Sequence, residues 1–124
     1  MPASYQLYSH DNLVVVTYTG NVTLQEVMAV REQGKADPNF DTAFDVIDDV
    51  SAAESSDIKF GELGFLSGKS IAKTGVKRAL VAVTDFQKGM ANMYKVLSES
   101  HGHHFKVFDD FDKARKWVLD REES

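Results

Sequence analysis

Ala79-Leu80-Val81-Ala82-Val83 is an unbroken run of five apolar residues, the longest in the chain. Five residues fall far short of the roughly twenty that a bilayer span needs. The run also lacks the polar alternation that would leave one side wet. Such a segment reads as a strand buried on both faces, which parallel sheets with helical cover provide. We therefore predict a strand at Leu80–Val83, in a sheet of the α/β type.

The rest of the chain supplies the partners of that strand. Tyr5–Ser9 and Leu13–Thr19 are rich in Val, Thr and Tyr, and the polar joint His10-Asp11-Asn12 suits an antiparallel hairpin. Thr23-Leu24-Gln25-Glu26 has capping-box spacing, so a first helix is predicted from Leu24 to about Lys35, with Leu24, Val27, Met28 and Arg31 on one face. Gly34 and Asp37-Pro38 stop it. A third strand is predicted at Ala43–Ile47, then a helical region across 57–73, and a short edge strand at Phe105–Phe108 carrying Lys106. Phe86, Met90, Met93, Tyr94 and Leu97 recur at helical spacing, as do Phe111, Ala114, Trp117 and Val118. The order is β-β-α-β-α-β-α-β-α: a mixed five-stranded sheet with a leading hairpin and about four helices, one domain over residues 1–124.

Composition narrows the function classes. With no cysteine, the chain has no disulfide, thiolate metal site or cysteine nucleophile, which fits a reducing compartment. The opening Met1-Pro2-Ala3-Ser4 has no basic start or apolar stretch of a secretion signal, and a cytoplasmic location without a transmembrane segment is expected. A formal charge of −5 argues against nucleic acid as a partner. Residues 1–56 hold nine acidic and two basic side chains, and 57–124 hold ten acidic and twelve basic.

Ligands of parallel sheets gather at the carboxyl ends of strands. Asp48 and Asp49, Asp85, and Asp109 and Asp110 follow three successive predicted strands there. They read first as helix caps, with Mg²⁺ binding the alternative. Gly64-Phe65-Leu66-Ser67-Gly68-Lys69-Ser70 approaches a phosphate loop, but Leu63 stands where the motif needs glycine. His101, His103 and His104 lie together without an acid or Cys beside them and read as a solvated loop. No metal or other cofactor is expected. Gly61, Gly64 and Gly68 share one face of a helical 57–73, and each weakens a helix by roughly 1 kcal/mol relative to Ala. Close packing on the sheet would offset that cost, as would a groove. Ile58, Phe60, Leu63, Phe65, Leu66 and Ile71 exceed a single apolar stripe, so some are expected at a contact surface. Ser51, Ser55 and Ser56, placed between strand three and that helix, read as turn and cap residues or as phosphorylation sites.

Gly20-Asn21-Val22-Thr23, Asp37-Pro38-Asn39-Phe40, Val46-Ile47-Asp48, Arg78-Ala79-Leu80-Val81, Gly89-Met90-Ala91-Asn92-Met93-Tyr94 and Val107-Phe108-Asp109, with Ala114 and Trp117, together resemble the bacterial SpoIIAA-like group over nearly the whole chain. The resemblance implies the STAS-type α/β fold and a relation to the lipid-carrying CRAL-TRIO fold. In the anti-sigma factor antagonists of that group, a serine at the start of the helix after strand three is phosphorylated and switches partners. The nearest stretch here is Glu54-Ser55-Ser56-Asp57, without that motif's glycine.

The function expected from these observations is a non-enzymatic binding or regulatory module. It takes a small apolar, lipid-like ligand or a protein partner through a surface that includes Phe60, Gly61, Gly64, Phe65, Gly68, Met90 and Met93. The alternatives are a phosphorylation-controlled partner switch at Ser51, Ser55 or Ser56 and, ranked below it, a small metal-dependent enzyme. A homodimer through the same apolar surface is compatible with the sequence.

Overall fold

The computed structural model describes residues 3–120. Its elements are β1 (Ala3–Tyr8), a 3-10 turn (Ser9–Asp11), β2 (Leu13–Val22), α1 (Leu24–Ala36), β3 (Asp45–Ser56), α2 (Phe60–Ser67), β4 (Lys77–Val81), α3 (Asp85–Ser100), β5 (His104–Phe108) and α4 (Phe111–Leu119). The strands form one sheet in the order β1-β2-β3-β4-β5, with β1 antiparallel to β2 and every other pair parallel. The α/β class, the leading hairpin and the order of elements are those expected from the sequence. At the hairpin, Asn12 takes a left-handed φ of 52°, which asparagine tolerates better than most residues.

From β2 to β5 the sheet advances in one direction. Right-handed crossovers then put α1, α2 and α3 on the same face. The period-two alternation of the strands sorts the core accordingly. Val14, Val16 and Tyr18 of β2, Val46 of β3, Leu80 of β4 and Phe105 of β5 pack with Val27 and Val30 of α1, Leu63 and Leu66 of α2, and Ala91 and Tyr94 of α3. Leu13, Val15, Ile47, Ala79 and Val81 face the other way, against Ala114, Trp117 and Val118 of α4.

Helix ends are satisfied locally. Thr23 caps α1 by accepting from the Glu26 N–H at 3.2 Å, and its hydroxyl donates to the Glu26 carboxylate. Thr84 and Gln87 form a reciprocal capping box at α3. Asp110 caps α4, accepting from the Asp112 N–H. At the other end of α4 the buried Lys77 ammonium donates to the carbonyls of Trp117, at 2.9 Å, and Asp120. A cation there also complements the helix dipole.

Several boundaries differ from those read in the sequence: β1 starts at Ala3, β2 runs on to Val22, and three further elements shift. β3 starts at Asp45 and runs to Ser56, because it follows β2 out to the pair Val22↔Ser56 through two register shifts. Its second half, Ser51-Ala52-Ala53-Glu54-Ser55-Ser56, has no β-branched residue, and backbone pairing rather than side-chain preference makes it a strand. α2 covers eight residues rather than 57–73, and Gly68 is its C-cap. β4 is displaced toward Lys77 and ends at Val81, two residues before the apolar run does.

Candidate functional site

The difference in strand length creates a cavity. β3 pairs with β4 only as far as Asp49↔Val81, while the β3 backbone continues for seven residues beside β2 alone. After β4 the chain leaves the sheet and turns into α3. Between the free edge of β3 and α3 lies a cavity of about 490 Å³ at the carboxyl ends of the parallel strands. Gln87 bridges this gap. Its amide nitrogen donates to the Ala53 carbonyl at 2.8 Å and to that of Ser51 at 3.4 Å, and its oxygen accepts from the N–H groups of Val83 and Thr84.

The walls are apolar: Val50 and Ala53 of β3, Leu63 and Leu66 of α2, and Phe86, Met90 and Ala91 of α3. The floor is polar and carries Tyr18, Arg31, Asp48 and Tyr94. Asp48 pairs with the fully buried Arg78 at 3.0 Å, and Arg78 also donates to the Ser70 hydroxyl at 2.7 Å. Arg31 of α1 donates through Nη1 to the carbonyls of Leu66 at 2.8 Å and Lys69 at 3.1 Å, which ties α1 to the end of α2. Its Nη2 donates to the Tyr94 phenol at 2.7 Å. Burial pushes the Tyr18 phenol up, and the Asp48 carboxylate adds to the shift. Burial also holds the nearby His103 below the usual histidine value, reinforced by the charges of Arg78, His101 and Arg31.

Of the residues singled out from the sequence, Met90 lines this cavity. Phe60, 63% exposed, Phe65, 49% exposed, and Met93, 37% exposed, lie on the outer surface, and the Lys69 ammonium sits over the Phe65 ring. α2 turns Leu63 and Leu66 to the cavity rather than its glycines. A Cβ added at Gly61 or Gly64 would meet no atom within 4 Å, so close packing on the sheet is not what these glycines serve. Gly68 does approach a neighbour, the His101 ring, at 3.6 Å.

Ser51, Ser55 and Ser56 belong to β3 rather than to a connection, and all three line the cavity. Ser51 donates to the Asp49 carboxylate at 2.6 Å and Ser55 to the Asn21 side-chain oxygen at 2.8 Å. Ser56 donates to the Val22 carbonyl and accepts from the Ile58 N–H ahead of α2. The aspartates at the carboxyl edge divide. Asp48 is in the ion pair, Asp49 holds the Ser51 N–H, Asp85 follows the Thr84 cap, and Asp110 alone among them caps a helix. The His104 ring packs edge-on against Trp117. Among the described residues no group of three His, Asp or Glu side chains is placed to hold a metal ion, and no helix is long and apolar enough to cross a membrane.

Sequence reasoning missed the polar floor. Its signal was a basic residue on an apolar face: Arg31 shares a helix face with Val27, and Arg78 opens onto the apolar run of β4. Cationic residues at such positions are rarely buried unless partnered.

By sequence, no known protein family and no curated protein matches the chain. Among solved structures it is similar to an uncharacterised protein of the DUF3478 family with a SpoIIAA-like fold, from Shewanella loihica PV-4. The two are 17% identical, the match covers 94% of this chain and 91% of that one, and the TM-score is 0.57. The likeness is one of fold, and the chain has the SpoIIAA-like α/β architecture that the sequence resemblance implied.

Proposed function

We propose that this protein is a binding module without chemistry of its own, and that it holds a small, largely apolar molecule in the cavity between β3, α2 and α3. One observation carries the reading. This small domain keeps a cleft of about 490 Å³, open to solvent and walled mostly by apolar side chains, and an apolar concavity with a few converging polar groups is the usual form of a small-molecule site. That volume falls within the range of small-molecule sites. The place, at the carboxyl ends of parallel strands, is where such folds bind ligands. Calorimetric titration with decan-1-ol tests the reading. The expected result is saturable binding that Met90→Trp weakens at least tenfold by filling the cavity, without lowering the melting temperature. Absence of saturable binding by decan-1-ol and by its ten-carbon carboxylate and amine analogues overturns it.

A second reading is favoured by the serines along the same cavity. Ser55 is exposed and bonded to Asn21, whose amide holds the Asp57 carboxylate at 2.8 Å. A phosphate on Ser55 would add about two negative charges beside Asp57. It would break this cluster and alter access to the cavity, or docking of a protein partner or second copy on the exposed Phe60, Phe65 and Met93. Phosphopeptide mapping of protein from its native host is expected to find Ser55 modified. Stoichiometrically unmodified Ser51, Ser55 and Ser56 overturn this second reading.

A further inference from the structure

The charges on the cavity floor do not cancel. Arg78 is matched by Asp48, but the bonds of Arg31 go to neutral groups, two backbone carbonyls and the Tyr94 phenol. Arg31 is 9% exposed and faces the cavity. A guanidinium carries five N–H donors, and three hydrogen bonds use only part of them. The Tyr94 oxygen accepts from Arg31, so its own proton is left to donate. Tyr18, 5% exposed, also faces the cavity, within electrostatic reach of Arg31 and Tyr94, and its hydroxyl bonds to no described residue. One unmatched positive charge and two phenol donors thus meet at the bottom of an apolar cavity.

Resting on the cavity reading above, we propose that the ligand is an amphipathic monoanion, a carboxylate with an apolar tail. Its carboxylate is received by Arg31, Tyr18 and Tyr94, and its tail lies along Leu63 and Met90 toward Phe86. The Asp48 carboxylate, paired with Arg78, disfavours a second negative charge on the ligand, and Arg31 disfavours a cationic head. Burial keeps the Tyr18 phenol protonated, as a donor to an anion must be. The cavity has the volume of about sixteen waters at ~30 Å³ each, which is room enough for a carboxylate with a chain of roughly ten carbons.

Calorimetry at neutral pH with decanoate, decan-1-ol and decylamine tests this. Because hydrogen bonds to charged groups are about twice as strong as neutral ones, decanoate is expected to bind at least tenfold more tightly than decan-1-ol, and decylamine more weakly than either. Tyr18→Phe removes one hydroxyl and is expected to reduce the ratio of decanoate to decan-1-ol affinity at least threefold, a readout that a purely structural role would not move. Decan-1-ol binding as tightly as decanoate overturns the anion assignment and leaves the cavity reading standing. Binding of none of the three probes overturns both. An unchanged affinity ratio in Tyr18→Phe overturns the place given to Tyr18.

Discussion

Replacing Gly64 by alanine should make the protein more stable. The residue lies within α2, and an added Cβ would meet no atom within 4 Å, so the substitution carries no steric cost. In a helix interior glycine is about 0.8–1 kcal/mol worse than alanine, because it loses more backbone freedom on folding. Gly64→Ala should therefore add about 1 kcal/mol. An unfolding entropy of ~2.1 cal/mol/K per residue comes to about 0.26 kcal/mol/K for this chain, so the melting temperature should rise by about 4 °C. Thermal melts and urea titrations on the two proteins would show it, with the midpoint moving and the urea slope unchanged. Gly102→Ala is the contrasting control. There φ is +86° and the Thr74 side chain lies 3.4 Å from an added Cβ, so stability should fall by about 1–2 kcal/mol. A flat or lowered melting temperature for Gly64→Ala would refute the reasoning, since the added Cβ would then be meeting an atom of this fold or α2 would not hold helical backbone at that position.

Three further outcomes are expected. Asp48→Asn removes the counter-charge of the buried Arg78 and should cost about 3–5 kcal/mol; urea unfolding that shows less than 1 kcal/mol would mean that the guanidinium finds other acceptors. Gln87→Glu turns a donor facing the carbonyls of Ser51 and Ala53 into a carboxylate, and it should cost about 1–3 kcal/mol in the same assay. His103 titrates below its ordinary value in the folded state, so between that lowered value and about 6.5 the unfolded chain binds more protons. Its contribution is complete above about 6.5 and is lost as the pH falls through the folded value. His103→Gln should therefore flatten the acid side of the stability profile, and an unchanged slope would remove His103 from the account.

The layer architecture was legible because it rests on local periodicity. The apolar run at β4, the helical spacing of Met90 and Tyr94, and the capping residues Thr23 and Asp110 each act over a few neighbouring positions. The length of β3 was not legible. Ser51–Ser56 becomes a strand only because β2 lies alongside it, a partner more than thirty residues away in the chain. The cavity follows from that mismatch between β3 and β4, so it escaped along with the strand end. The glycine face on α2 was visible as a pattern, but its direction depended on where the helix begins, and a helix of eight residues presents Leu63 and Leu66 inward instead. The floor escaped because Arg31, Asp48, Arg78 and Tyr94 come from four separate elements and meet only in three dimensions.

The chain has one tryptophan, Trp117, and it is held on the α4 face beside Phe108 and the ammonium groups of Lys77 and Lys106. The tyrosines of the cavity, Tyr18 and Tyr94, lie on the opposite side of the sheet. The two faces therefore carry different buried chromophores. Indole emission follows the release of α4 and is insulated from the contents of the cavity, while the near-ultraviolet dichroism of the buried phenols follows the floor. In one unlabelled sample, a ligand that perturbs the tyrosine bands without moving the tryptophan emission has entered from the α2 and α3 side, and denaturation that shifts both at the same midpoint reports the two layers separating as a single unit.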